Sequence, residues 1–316
     1  MDQKLVLFVD STHSLLPEKL SSAGFTILYK PGISREEFIS ILPLIYGIII
    51  RSRFILNSDI LKSGAKLKFI GRVGSGMENI DTSYCQQAGI QCFNSPEGNR
   101  QAVAEHCLGM LLNLTKKISK SNSEVHQNIW EREGNRGIEL TGKTIGIIGF
   151  GNTGSSFAKT LQGFDLEILA YDKYKTGFGQ GNVKEASMKE LFQHCDVLSL
   201  HVPYTKETHY MVDQSFLSNF RKNILLLNTS RGSVVDTSAL SEALQTGKLL
   251  GAGLDVLEYE DYSFEGFFVR ALPRPFEILK EHPQVVITPH IGGWTQESNV
   301  KLSVILADKI INSFCG

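Results

Sequence analysis

The residues best able to do chemistry in this chain sit at the ends of apolar runs. Gly149-Phe150-Gly151-Asn152-Thr153-Gly154 follows the run Thr144–Ile148 and leads into Ser155-Ser156-Phe157-Ala158. A glycine triplet alone is weak, because such triplets arise by chance. A strand before it and a helix after it supply the mechanism. Gly149 allows the tight turn, Gly151 lets a pyrophosphate approach the backbone, and Gly154 permits close helix–strand packing. Ser155-Ser156-Phe157-Ala158 opens the helix, whose N-terminal N–H groups and positive dipole end favour an anion, with Asn152 and Thr153 of the motif counted as cofactor contacts. Asp172 ends the next run, 18 positions after Gly154. An acidic side chain there accepts the ribose 2′-hydroxyl and repels a 2′-phosphate. The expected cofactor is therefore NAD rather than NADP, with Lys173 and Lys175 weakening the preference.

Three further segments follow buried runs of the same kind. Asn228-Thr229-Ser230-Arg231-Gly232 comes after Ile224–Leu227. Gly253-Leu254-Asp255-Val256-Leu257-Glu258-Tyr259-Glu260 and Thr288-Pro289-His290-Ile291-Gly292-Gly293 end two more. Ligands of open α/β sheets bind beyond the carboxyl ends of strands, so Arg231, Glu260 and His290 could converge on one cleft.

The elements that must position these groups fall into two series. Leu5–Val9, Phe25–Tyr29, Gly47–Ile50, Leu67–Ile70 and Gln91–Phe93 are short, β-branched runs separated by stretches of helical length. A second series runs through Thr144–Ile148, Leu166–Ala170, Val197–Leu200, Ile224–Leu227, Gly251–Asp255 and Val285–Thr288. Strands alternating with helices make βαβ units, and two series predict an α/β chain with two doubly wound parallel sheets. Between them, Gln101–Ser121 reads as one long helix and Asn122–Leu140, which contains Trp130, as a polar arm.

Composition narrows the function. The 316 residues carry a formal net charge of -1, which argues against a nucleic-acid binder built on phosphate neutralisation. The longest apolar stretch, Ile41–Ile50, is broken by Pro43 and Gly47, short of the roughly 20 residues a spanning helix needs. Leu5–Val9 is too short for a signal-peptide core. Five cysteines with no Cys-x-x-Cys pair suit reduced, cytoplasmic thiols and predict no metal site.

Taken together these segments resemble the D-isomer-specific 2-hydroxyacid dehydrogenases, and within them the phosphoglycerate dehydrogenases. The resemblance runs over nearly the whole chain: Arg51-Ser52, Ile70 to Gly76 with Asn79-Ile80-Asp81, Asn94-Ser95-Pro96, Ala104-Glu105, the glycine fingerprint, His201-Val202-Pro203, Asn228 to Val235 and Thr288 to Gly293. It implies a Rossmann NAD-binding domain inserted into a flavodoxin-like substrate domain, with residues 99–287 in the former and 1–98 and 288–316 in the latter. It implies a catalytic set of Arg231, Glu260 and His290. His290 would exchange the hydroxyl proton as hydride moves between C2 and the nicotinamide. Glu260 would orient the imidazole and favour its protonated form, while Arg231 would grip the carboxylate with its planar fork. Further cofactor contacts are implied at Ser75, Val103, His201, Pro203, Thr229, Asp255 and Gly293, with His201 as a pocket wall. The loop around Gly74, Ser75 and Gly76 would offer backbone N–H groups to the carboxylate. Ser52 and Asn94 join the substrate set. Arg51 and Arg72 would suit a phosphorylated substrate, since Arg binds phosphate bidentately.

The implied reaction is NAD-dependent oxidation of D-3-phosphoglycerate to 3-phosphohydroxypyruvate by a cytoplasmic homodimer acting on a small anionic acid. The alternatives are reduction of glyoxylate, hydroxypyruvate or another 2-keto acid, and a non-enzymatic NADH-sensing dimer of the corepressor type. Two domains use the full length read here, so the regulatory C-terminal domain of longer relatives is expected to be absent. The chain departs from the family after Glu260, where Asp261 replaces a usual Pro and an aromatic insert spans Tyr262–Pro275. That opens a choice between Glu258 and Glu260, in which spacing from Asp255 favours Glu260. The insert is expected to cover the cleft mouth or a partner subunit.

Overall fold

The computed structural model describes residues 3–261, 266–267 and 271–315. These form two compact units. The first holds residues up to 100 and from 294 onward; the second holds 101–261 and the described residues up to 293.

The first unit is built on five parallel strands: β1 (Leu5–Phe8), β2 (Thr26–Tyr29), β3 (Gly47–Ile50), β4 (Phe69–Arg72) and β5 (Gln91–Asn94). Their order is β2-β1-β3-β4-β5, the flavodoxin-like arrangement. All of β3 is buried, as expected where helices cover both faces of a parallel sheet. Gly47 is required by close approach, because a Cβ there would lie 2.2 Å from the Phe69 ring. The helix Gln296–Phe314 closes one face, with Leu306, Ala307 and Ile310 packed on Val6, Phe8, Ile49 and Phe69. It starts at a capping box, in which Thr295 Oγ1 accepts the Ser298 amide and Ser298 Oγ accepts the Thr295 amide.

The second unit carries seven parallel strands: β6 (Thr144–Ile148), β7 (Glu167–Tyr171), β8 (Val183–Glu185), β9 (Val197–Leu200), β10 (Ile224–Asn228), β11 (Leu249–Leu254) and β12 (Val285–Ile287). The order β12-β11-β10-β9-β6-β7-β8 reverses between β6 and β9, and ligands of such sheets bind at that switch point. The helix Arg100–Lys116 lays Ala104, Cys107, Leu111 and Leu114 on the sheet, the three- and four-residue spacing of one helical face. Among the described residues no helix is long and apolar enough to cross a membrane.

Three details differ from the sequence reading. Strand β8 was missed because Val183 is its only buried residue, too little for an apolar signal. The long helix stops at Lys116; Lys117 at φ 54° breaks it, and a second helix covers Ile118–His126, so the arm begins in helix rather than coil. Residues 288–293 group with the second unit rather than the first. The Asp255 carboxylate explains the last point, since it binds the side chain of Thr288 and the amides of Ile291 and Gly292.

Candidate functional site

Glu260 and His290, thirty positions apart in sequence, meet in the second unit: His290 Nδ1 lies 2.6 Å from Glu260 Oε2. Glu260 Oε1 already accepts the Leu257 amide, so the carboxylate is aimed before the imidazole arrives. A carboxylate can only accept, which assigns the proton of neutral His290 to Nδ1 and makes Nε2 the acceptor nitrogen of that tautomer. The backbone of His290 is itself unusual, at φ 53°. Its amide donates to the carbonyls of Asp255 (2.8 Å) and Thr288 (3.0 Å), and those bonds hold the left-handed conformation. Glu258 is excluded as the partner. Its carboxylate instead takes the Tyr210 hydroxyl and, at 3.0 Å, the Thr237 amide.

Asp255, expected as a cofactor contact, is 2% exposed and ties down the His290 loop. Oδ1 accepts Thr288 Oγ1 at 2.6 Å and the Ile291 amide at 2.9 Å, while Oδ2 accepts the Gly292 amide at 2.7 Å. The Thr288 hydroxyl proton goes to Asp255, so Thr288 Oγ1 accepts from His106 Nε2 at 2.9 Å. His106 also reaches Asp255 Oδ1 at 3.3 Å. Burial works to raise the Asp255 pKa, but these donors outweigh it and hold the carboxyl below its usual range. Nothing in the spacing of the sequence marks His106, which lies mid-helix in Arg100–Lys116.

Arg231 stands in a loop knotted by Asn228, which is 1% exposed. Asn228 Oδ1 accepts the Ser230 amide and hydroxyl, and its Nδ2 donates to the Arg231 carbonyl at 3.0 Å. Gly232 brings this loop against the Glu260 segment: a Cβ there would lie 1.9 Å from the Leu257 carbonyl carbon and 2.3 Å from the Glu258 nitrogen. Arg231 is therefore carried by backbone that touches the chain just ahead of Glu260. Thr229, in the same loop, shares a 3.0 Å hydrogen bond with Cys107 Sγ. Burial pushes that thiol up to about 12, so it stays protonated.

At the sheet's switch point the glycine motif has the geometry a dinucleotide needs. Gly149 sits at φ 91°, and a Cβ there would be 2.4 Å from the His201 carbonyl oxygen. A Cβ on Gly154 would be 2.1 Å from the Gly149 oxygen, whereas Gly151 faces open space. The helix Asn152–Thr160 has Gly151 as its N-cap, with no side chain taking its first amides; Ser187, Asp213 and Asp236 cap other helices of this unit. Asp172 steadies the turn, with Oδ2 accepting the Phe150 amide and Oδ1 the amides of Tyr174 and Lys175. His201 is buried beneath the turn, bridging Ser199 Oγ (2.9 Å) and Thr153 Oγ1 (3.2 Å). Burial lowers its pKa to about 3, so it stays neutral. Of the other expected contacts, Val103 is buried among core residues, Pro203 is exposed, and Gly293 follows the pinned Gly292.

The first unit gathers the residues expected at the substrate. Asp10 Oδ2 accepts the backbone amides of Arg51 (2.6 Å), Ser52 (3.2 Å) and Arg53 (3.3 Å). Arg72 Nε donates to the Arg51 carbonyl at 3.2 Å. The Arg72 guanidinium lies over Gly74, whose φ is 153° and whose Cβ would fall 1.7 Å from Arg72 Nη1. Asn94 Nδ2 donates to the Ser75 carbonyl, and Ser75 Oγ to Asn99 Oδ1, shaping the turn that runs on to Gly76. Asp10 was missed by sequence reasoning. Its signal is positional: it is the first acidic residue after the β1 run.

Half of the aromatic insert, residues 262–265 and 268–270, lies outside the described residues. Of its described part, Phe267 packs on Phe276, with ring centroids 5.7 Å apart, as does Tyr259 at 6.2 Å. The rest of the insert, expected to cover the cleft mouth or a partner subunit, lies outside the described residues.

Comparison with known proteins agrees with this geometry. The family described as "D-isomer specific 2-hydroxyacid dehydrogenase, NAD binding domain" matches residues 108–292. The chain is 35% identical to the D-3-phosphoglycerate dehydrogenase of Archaeoglobus fulgidus over 93% of its own length and 54% of that protein's. It is 34% identical to the hydroxypyruvate reductase of Thermotoga maritima over 88% of each chain. The D-lactate dehydrogenase of Aquifex aeolicus, solved with NAD and lactic acid, superposes with a TM-score of 0.82 at 31% identity, covering 98% of this chain and 95% of that one. The chain spans about half the length of the first curated relatives it matches. A glycine cradle at the switch point, a carboxylate-held histidine and these similarities place the chain in the D-isomer specific 2-hydroxyacid dehydrogenase family.

Proposed function

We propose that this protein is an NAD-dependent oxidoreductase acting on a small D-2-hydroxy acid, with D-3-phosphoglycerate as its substrate. The observation that carries the reading is the 2.6 Å pair of His290 and Glu260, on a loop pinned by Asp255 in the unit that matches the NAD-binding family. When bound, the nicotinamide accepts or returns a hydride at C2 of the substrate. His290 Nε2 takes the hydroxyl proton during oxidation and gives one back during reduction. Glu260, fixed by the Leu257 amide, stabilises the imidazolium that results. Arg231 takes the substrate carboxylate through its planar fork. The motif residues Gly149, Gly151, Asn152, Thr153 and Gly154 present the N-terminal amides of their helix to the pyrophosphate, and Asp172 takes the ribose hydroxyls.

Arg51 and Arg72, joined through the Arg51 carbonyl, favour a phosphorylated acid, since two guanidinium groups match a dianion. The match to a hydroxypyruvate reductase over 88% of both chains supports a second reading, reduction of an unphosphorylated 2-keto acid. Initial rates across phosphorylated and unphosphorylated 2-hydroxy and 2-keto acids, with NAD(H) and NADP(H), decide between them. The account expects the best kcat/KM for 3-phosphoglycerate with NAD. Preference for hydroxypyruvate with NADH selects the second reading, and no turnover with any acid leaves only an NADH-sensing role. We also infer a homodimer, supported by Ile118, Val125, Ile129, Trp130 and Ile138, all exposed in one stretch of chain. A single-chain mass in sedimentation would contradict that inference.

A further inference from the structure

Arg51 is held at both ends. Its backbone amide is bound by Asp10 Oδ2 at 2.6 Å, and its guanidinium carbon lies 4.2 Å from the ring centroid of Trp294. Both residues belong to the first unit. Trp294 is 65% exposed, yet its backbone is not loose. It directly precedes Thr295, whose side chain and amide form the capping box of the helix Gln296–Phe314. That helix in turn buries Leu306, Ala307 and Ile310 in the core.

The contact has a chemical consequence. A cation–π attraction to the indole draws on the quadrupole of the ring rather than on a hydrogen-bond acceptor. We propose that Trp294 is the positioning residue for Arg51, holding its guanidinium so that the N–H edge takes the phosphate of a phosphorylated 2-hydroxy acid. The inference rests on the proposed function and adds a specificity determinant to it. Arg72 stands one hydrogen bond from the Arg51 backbone and supplies the second cation. Ordering Arg51 before the substrate arrives lowers the cost of binding. A contact made equally to substrate and transition state appears in KM rather than in kcat.

The test is calorimetric binding of 3-phosphoglycerate and of D-glycerate to the NADH-saturated full chain, where neither acid can be oxidised, for the wild type, Trp294→Leu and Trp294→Phe, with kinetics in parallel. A cation–π contact at an exposed site corresponds to about a two- to fivefold change in affinity. The expected result is a loss of that size for 3-phosphoglycerate alone in Trp294→Leu, mirrored in KM with kcat held within about twofold. Trp294→Phe, which restores an aromatic face, recovers most of it. Unchanged 3-phosphoglycerate affinity in Trp294→Leu overturns the proposal, as does an equal loss for D-glycerate, a failure of Phe to rescue, or no binding by the wild type. If the wild type binds 3-phosphoglycerate selectively through Trp294 but turns over no acid, the proposal stands and the assigned reaction fails.

Discussion

At His290 the backbone occupies φ 53°, a region that costs a non-glycine residue about 1–3 kcal/mol and persists only where its surroundings enforce it. Here the enforcement is visible, in two carbonyls on its amide and an Asp255 carboxylate that gathers the next residues. His201 shows the opposite use of a histidine. It is buried and neutral, with its pKa depressed to about 3 against roughly 6.5 when unfolded. Between those values the unfolded chain binds the extra proton, so stability is present above about pH 6.5 and is lost as pH falls toward 3. Each pH unit in that window costs up to about 1.4 kcal/mol. Asp255 contributes to acid sensitivity only lower, because its carboxyl sits below the usual range. Urea unfolding between pH 7 and 5 should therefore show a smaller loss of stability on acidification for His201→Gln than for the wild type. Equal slopes would mean that His201 is not buried neutral. The sequence named both histidines but could not tell their environments apart, because burial and hydrogen-bond partners come from elements far away in the chain.

Among the elements, runs such as Gly47–Ile50 and Ile224–Leu227 were legible because every residue is apolar and a fully covered parallel strand demands nothing else. β8 was not, with one buried side chain. Nor was the helix break at Lys117, since no Gly or Pro marks it. The positions of Glu260 and His290 could be read from the rule that ligands gather beyond strand ends. The devices that aim them could not: the His106–Thr288–Asp255 chain and the Gly232 contact are tertiary, and the Asn228 knot, though local, rests on side-chain hydrogen bonds that residue type alone does not fix. Gly232 offers the sharpest test of this layer. A Cβ would strike the Leu257–Glu258 peptide, where backbone cannot move aside as a side-chain tip can. Gly232→Ala should cost about 1–3 kcal/mol, which at about 2–4 °C per kcal/mol for a unit of this size lowers the melting temperature by several degrees. It should also lower kcat, because the displaced peptide directly follows the Leu257 amide that aims Glu260. A variant that melts and turns over like the wild type would show that the loop is not packed as described.

For the molecule as a whole, the two-series pattern of strands foretold two parallel sheets, and the switch point of the larger one holds the glycine motif. The boundary was misplaced at 288–293 because the sequence cannot show that Asp255 claims that segment. Substrate identity lies beyond the fold, since phosphoglycerate, hydroxypyruvate and lactate enzymes all resemble this chain. Proton transfer at His290 in an NAD-dependent reaction is the step on which the proposed function stands. The direct measurement is the initial rate of NADH formation from 3-phosphoglycerate by the wild type and His290→Gln, alongside the dissociation constant of each for NADH by fluorescence. The expected result is measurable wild-type turnover, a kcat reduced by about 10²–10⁴ in the variant, and NADH affinities within about twofold of each other. Near wild-type kcat in His290→Gln, or a rate loss matched by lost NADH binding, would contradict it.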